Sequence, residues 1–294
     1  MSPQPNDDSA CVPAEAVAYS PPEVISEHPA IEDPPTSRSL NIPFLLFVAT
    51  CVSTTMAAGP VYSAALMLIL LCHEMGHFLQ ARRYHVPASL PYFIPMPISP
   101  LGTMGAVIGM RGNMGNRKAL FDIGISGPLA GLVPALGCSI LGLHWSTVGN
   151  IPKEPGFTLG DPLLFQFLTH WIIGPLPADQ DVFLHPLAYA GWVGVLITAL
   201  NLFPIGQLDG GHVLYAILRR KAHFVASGLL LAAFTAVLLT HRYEWLLMLL
   251  LLVLMGPKHP PTADDDVPLG TGRIILGWLT LAFVIIGFTP TPFF

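Results

Sequence analysis

The sequence predicts an all-α polytopic membrane protein of about six to seven transmembrane helices, with a re-entrant Pro/Gly-rich segment that contains short extended pieces. Three observations lead there. Of the 294 residues, 52% are hydrophobic and only 11% charged, with a mean hydropathy of +0.60; soluble domains carry about 25% charged residues. The apolar residues gather into stretches of membrane-crossing length. Residues 87–112 are also apolar, yet so rich in Pro and Gly that helix is excluded for much of their length.

Hydropathy gives seven candidate spans, near 41–58, 62–82, 119–143, 187–205, 222–240, 243–256 and 273–291. The sixth is short for a crossing. Residues 206–221 read as a helix that continues from the fourth span into the aqueous edge. Irregular backbone at membrane depth is tolerated only when buried in protein or lining a cavity. Residues 87–112 are therefore read as a re-entrant or interfacial loop beside the site. In the third span, Gly127-x-x-x-Gly131 reads as a small-residue packing seam.

Residues 1–40 hold seven acids against one base, Arg38. They are expected to form a disordered, acidic, Pro-rich tail, leaving 41–294 as the membrane-embedded domain. The tail lacks the basic start and apolar core of a signal peptide and is too acidic for a transit peptide. No basic stripe suggests a nucleic-acid partner. The four cysteines read as small hydrophobes.

Basic residues set the orientation. Arg82 and Arg83, then Arg111, Arg117 and Lys118, then Arg219, Arg220 and Lys221 flank the second, third and fifth spans. The positive-inside rule puts all three groups in the cytoplasm and residues 146–186 on the far side.

Residues 73–77 read His-Glu-Met-Gly-His inside the apolar run Val61–Ala81. Each ionisable side chain at mid-span costs roughly 2.5–3.5 kcal/mol, so three within five residues need a compensating partner. A zinc ion is one. His73 and His77, four apart, share a helix face and can reach one metal. Glu74 projects about 100° around the helix, where it can act on water as general base.

A catalytic zinc usually takes three protein ligands and keeps one open position. Asp161 and Asp181 fall in the far-side segment, and Asp122 lies close to Arg117 and Lys118, which suits pairing with a base. Asp209 is the better candidate. It follows Asn201-Leu-Phe-Pro-Ile-Gly-Gln-Leu, where Pro204 and Gly206 interrupt an apolar helix, and two glycines follow it. Broken spans of this kind often bind ions or substrates; a helix cap at the membrane surface is the plainer role. His212 shares the face of Asp209 and is weighed as a supporting group, with a surface histidine as the default. His85 reads as interfacial, and His144, His170, His185, His223, His241 and His259 lack metal-like spacing.

These elements resemble the site-2 protease family of intramembrane zinc metalloproteases: His73-Glu-x-x-His77 within a span, Asn201-x-x-Pro204 leading into Leu208-Asp209-Gly210, and Gly127-Pro-Leu-Ala-Gly131. The stretch Leu101–Arg111 resembles the segment that follows the metal helix in that family. The match covers about residues 41–294 and is closest to the branch with plant chloroplast members and their bacterial relatives. The resemblance implies one Zn2+ per chain held by His73, His77 and Asp209. It makes Glu74 the base that activates water and Asn201 a group that orients substrate or stabilises the oxyanion. It also implies a transmembrane protein as substrate, with the lipid bilayer around both, and a bacterial cell membrane with the site toward the cytoplasm. No PDZ-like insertion or CBS-like extension is evident.

The leading expectation is thus an endopeptidase that cuts within or near transmembrane segments. A membrane metal or proton transporter would also carry intramembrane His and Asp, but would not need a glutamate beside the first histidine. A catalytically silent binding factor would usually have lost Glu74 or a ligand.

Overall fold

The computed structural model describes residues 41–110, 115–151, 158–256 and 258–293; the tail, 1–40, lies outside them. Among the described residues eight helices run in the order α1 (Asn41–Arg83), α2 (Arg117–His144), α3 (Leu163–Ile172), α4 (Pro186–Asn201), α5 (Asp209–Leu218), α6 (Ala222–Thr240), α7 (Leu246–Met255) and α8 (Thr271–Gly287). Strands β1 (Tyr92–Pro95) and β2 (Thr103–Val107) form one antiparallel pair, β3 (Thr147–Asn150) and β4 (Gln180–Phe183) another. The chain is a mostly helical, multi-pass membrane protein. Residues 41–83, 117–144 and 209–240 are helical stretches long and apolar enough to cross a membrane, and α3, α4, α7 and α8 are shorter apolar helices. Large apolar side chains stay bare on the outside, among them Leu231, Leu239, Leu254 and Leu279, which is stable only against an apolar surrounding.

The first and third of those stretches do not run straight. In α1 the backbone leaves helical geometry at Ala58 and Gly59, where φ is +86°. Glycine tolerates that region, and Pro60 then starts a new helix. Ser63 Oγ reaches the Cys51 carbonyl at 3.1 Å, twelve residues back, a separation of about 18 Å in a straight helix. The two halves therefore fold against each other as a helical hairpin, matching the expected pair of stretches 41–58 and 62–82. Likewise the chain turns at Arg219–Lys221, a short 3-10 segment, and Gly211 of α5 and Ala226 of α6 line one small cavity.

In residues 186–218 the interruption expected at Pro204 and Gly206 is present, but it is a full turn between two separate helices and not a continuation of the fourth span into 206–221. α4 ends at Asn201, residues 202–208 form a tight turn, and α5 starts afresh at Asp209. A side chain at Gly210 would collide with the Leu202 carbonyl, so this approach requires glycine. α4 is the central helix, with Ala188, Ala190, Trp192, Val193 and Val195 fully buried.

β1 and β2 fill the Pro/Gly-rich segment. Phe93 is buried and meets the Phe47 ring edge-on at 5.2 Å, which sets β1 against α1. Among the described residues β2 pairs only with β1, and it exposes Met104 and Val107. The base of this hairpin clusters with Ala81 at the end of α1 through Val86, Ala88 and Met110. Its tip lies elsewhere: Tyr62 donates to the Leu101 carbonyl at 2.8 Å, Ser53 to Gly102 at 2.6 Å and Tyr189 to Pro100 at 3.2 Å. From Ala81 to Tyr62 is about 28 Å of helix. The second sheet and α3, all within residues 146–186, were not expected; the charges there marked a polar connection and gave no period.

Candidate metal centre

α1 carries His73 and His77 on one face, and both are buried, as is Glu74 between them. α2 crosses close enough for this because Gly127 and Gly131 face the two imidazoles. A Cβ at 127 would collide with His77 Nε2, and one at 131 would stand 3.0 Å from the His73 Cβ. The expected packing seam is thus the clearance for the two rings. α5 presents Asp209 from the far end of the sequence. His73 Nε2 lies 3.1 Å from Asp209 Oδ2, His77 Nε2 lies 3.2 Å from Asp209 Oδ1, and the two Nε2 atoms are 3.2 Å apart.

Those edges are a test of fit. Four ligands around zinc at about 2.0–2.1 Å stand about 3.3 Å from one another in a tetrahedron. The two imidazole nitrogens, 3.2 Å apart, each with one of the two Asp209 oxygens at 3.1–3.2 Å, come close to that spacing, and the three residues form the one His/Cys/Asp/Glu group that could hold a metal among the described residues. His77 Nδ1 donates to the Ile123 carbonyl at 2.7 Å, which leaves the Nε2 lone pair directed at the centre. Asn201, last residue of α4, brings its Nδ2 to 3.5 Å from His73 Nε2. The Glu74 carboxylate feels the charges of His73, His77 and Asp209, and among the described residues none donates it a hydrogen bond.

Three other expectations change. Asp122 pairs with neither Arg117 nor Lys118; it forms a bidentate pair with Arg273 of α8 at 2.8 Å and accepts from Tyr84. Arg117 instead turns inward and donates to the Ala216 and Ile217 carbonyls, satisfying the free carbonyls at the end of α5. His212 is buried, not a surface residue, and its Nδ1 meets His259 Nε2 at 2.6 Å. Because His259 Nδ1 must donate to the Pro260 carbonyl, His259 Nε2 is the acceptor and His212 the donor in the neutral pair. Sequence reasoning assigned His259 nothing; no spacing signal connects residues 47 apart. Around it, the Tyr215 hydroxyl donates to Asp265 Oδ2 at 2.8 Å, and the Thr262 hydroxyl donates to Asp265 Oδ1 at 2.6 Å. Burial alone would raise the Asp265 carboxyl, yet those two hydrogen bonds hold it below the usual carboxylate range. α5, and with it Asp209, is held from both sides.

No solved structure matches the chain. Among curated proteins, the probable zinc metalloprotease EGY1, chloroplastic, of Oryza sativa subsp. japonica is 32% identical over 72% of this chain and 35% of its own length. Its namesake in Arabidopsis thaliana is 30% identical over 76% of this chain and 41% of its own. The probable zinc metalloprotease EGY2, chloroplastic, of Arabidopsis thaliana is 28% identical over 77% and 41%. The chain thus spans well under half the length of these relatives. The sequence signature of peptidase family M50 matches residues 61–240, a stretch that holds both histidines, Glu74, the facing glycines, Asn201 and Asp209, and the chain belongs to that family.

Proposed function

We propose that this chain is an intramembrane zinc metalloendopeptidase that hydrolyses peptide bonds within or near transmembrane segments of other membrane proteins. The observation that carries the reading is the three-donor centre, drawn from positions 136 residues apart, its two histidines buried and Asp209 half-buried, with a free carboxylate beside it. His73, His77 and Asp209 would hold one Zn2+. When bound, the ion would lower the pKa of water toward about 7 and polarise the scissile carbonyl.

Glu74 takes the proton from the attacking water and returns it to the leaving amine. Its burial and lack of a hydrogen-bond donor favour that exchange. Asn201 Nδ2 stands where it can donate to the substrate carbonyl oxygen as charge builds there. The substrate helix must unwind first, because its peptide bonds are shielded by their own hydrogen bonds. The unpaired edge of β2 can take up the unwound stretch by main-chain pairing. In this reading 41–294 is the membrane domain, crossed by six to seven helices, and the β1–β2 hairpin is re-entrant, its base at the positive side and its tip near the other. The centre opens toward the positive side: the cytoplasm in a bacterial cell membrane, or the equivalent face in a chloroplast membrane such as the relatives' names imply.

The test is a Glu74→Gln variant, purified and reconstituted with a transmembrane test substrate. Zinc content should match the parent while cleavage falls about a thousandfold or more, within the range a general base contributes. Cleavage at the parental rate would remove Glu74 from the chemistry. Ion flux into vesicles with no cleavage by the parent would favour a transporter instead.

A further inference from the structure

At the end of the molecule opposite Arg82 and Arg83 lies a cavity of about 540 Å3, within the size range of ligand pockets. Ala57 and Ala58 at the break in α1, Pro100 at the hairpin tip, Tyr189 of α4, Phe165 of α3 and Phe183 of β4 are among the residues that line it. Two carboxylates, Asp161 and Asp181, share this otherwise largely apolar wall. Among the described residues neither has a basic partner; Asp181 accepts only the Val182 backbone N–H, at 2.7 Å. Both side chains are exposed; partial desolvation in the cavity, and next the Asp181 charge, raises the Asp161 carboxyl above the usual carboxylate value.

Such a pocket asks for a cation on an apolar stem, which is what a lysine or arginine provides. The hairpin says where that cation would come from. Pro100 lines the cavity and accepts the Tyr189 hydroxyl, and Leu101 and Gly102 are tied to Tyr62 and Ser53. A peptide running along the β2 edge toward the tip leaves it at the cavity mouth. His73 lies eleven residues along α1 from Tyr62, about 16 Å. Extended chain covers that distance in about five residues.

Resting on the peptidase reading above, we propose that this cavity is a specificity site for the basic flank of the substrate. It takes a Lys or Arg about five residues from the cut bond, on the side away from the enzyme's own positive clusters. The interaction selects where an unwound segment is held relative to the centre.

The experiment uses the full chain in vesicles and three transmembrane test substrates that carry Lys, Gln or Glu at that position. Lys153, the one Lys or Arg of residues 146–186, is replaced by Gln throughout, so that it cannot compete. Affinity is measured in a Glu74→Gln background, where cleavage does not intervene, and kcat/KM in the active chain. Lys should be preferred over Glu by about fivefold, the size of a partly exposed charge pair. The preference should vanish in Asp161→Asn/Asp181→Asn and reverse in Asp161→Lys/Asp181→Lys, where Glu becomes the better residue. That reversal also guards against misfolding. Equal preference in all three enzymes overturns the proposal and leaves the cavity to lipid or packing. Absence of cleavage alongside an intact binding preference would sink the peptidase reading and not this one.

Discussion

At the scale of single residues, the centre depends on what is missing from α2. Gly127 and Gly131 differ in how closely they approach: a Cβ at 127 overlaps His77 Nε2 itself, whereas one at 131 meets the His73 Cβ at 3.0 Å. Gly127→Ala should therefore cost the chain most of its zinc, and Gly131→Ala should retain the larger part, read as bound zinc per chain after purification. Equal retention would mean that α2 does not pack on the histidines as described. His259 acts one step further out. It fixes His212, one turn beyond Asp209, so His259→Ala should weaken zinc binding about tenfold, with His259→Gln closer to the parent because its amide oxygen still accepts from His212. The histidine motif was legible because its four-residue spacing is a helical spacing. The His212–His259 and Asp122–Arg273 pairs were not, since their partners lie 47 and 151 residues away and neither has a periodic signature.

At the scale of elements, apolar length located most helices to within a few residues, and Pro204 with Gly206 marked the break that precedes α5. The short extended pieces expected within residues 87–112 are β1 and β2. What stayed hidden was the reach of the β1–β2 hairpin, which only its contacts with Ser53, Tyr62 and Tyr189 reveal. Replacing Ala106 or Val107 by Pro removes a main-chain donor and restricts the preceding residue. Either variant should keep its zinc yet cleave about tenfold more slowly or worse, with the loss mainly in KM. If both cut normally, β2 does not hold the substrate.

At the scale of the whole molecule, the break in α1 and the turn at Arg219–Lys221 show that the long apolar helical stretches are not single straight rods. The basic clusters then predict that Arg83 and Asp179 face opposite aqueous sides. With Cys51, Cys72, Cys138 and Cys11 removed, cysteines at those two positions should react with an impermeant reagent from opposite faces of a sealed vesicle. Labelling from the same face would overturn the order of crossings. The sequence predicted this orientation through its charges alone, because the bias is a property of loops and needs no contact information. It could not foresee that Arg117, counted as a surface charge, is spent inside the protein on the end of α5.

The wide separation of the three donors also has a bearing on biosynthesis. His73 and His77 emerge from the ribosome 136 residues ahead of Asp209 relative to His73. At about 5–20 residues per second that is a delay of roughly 7–27 s, during which the nascent chain holds half a binding site. Two imidazoles alone grip a metal weakly, so the centre closes only after α5 has been made and folded against α2. A polypeptide halted by translational arrest before residue 209 should carry no tightly bound zinc, whereas one halted well beyond α5 should.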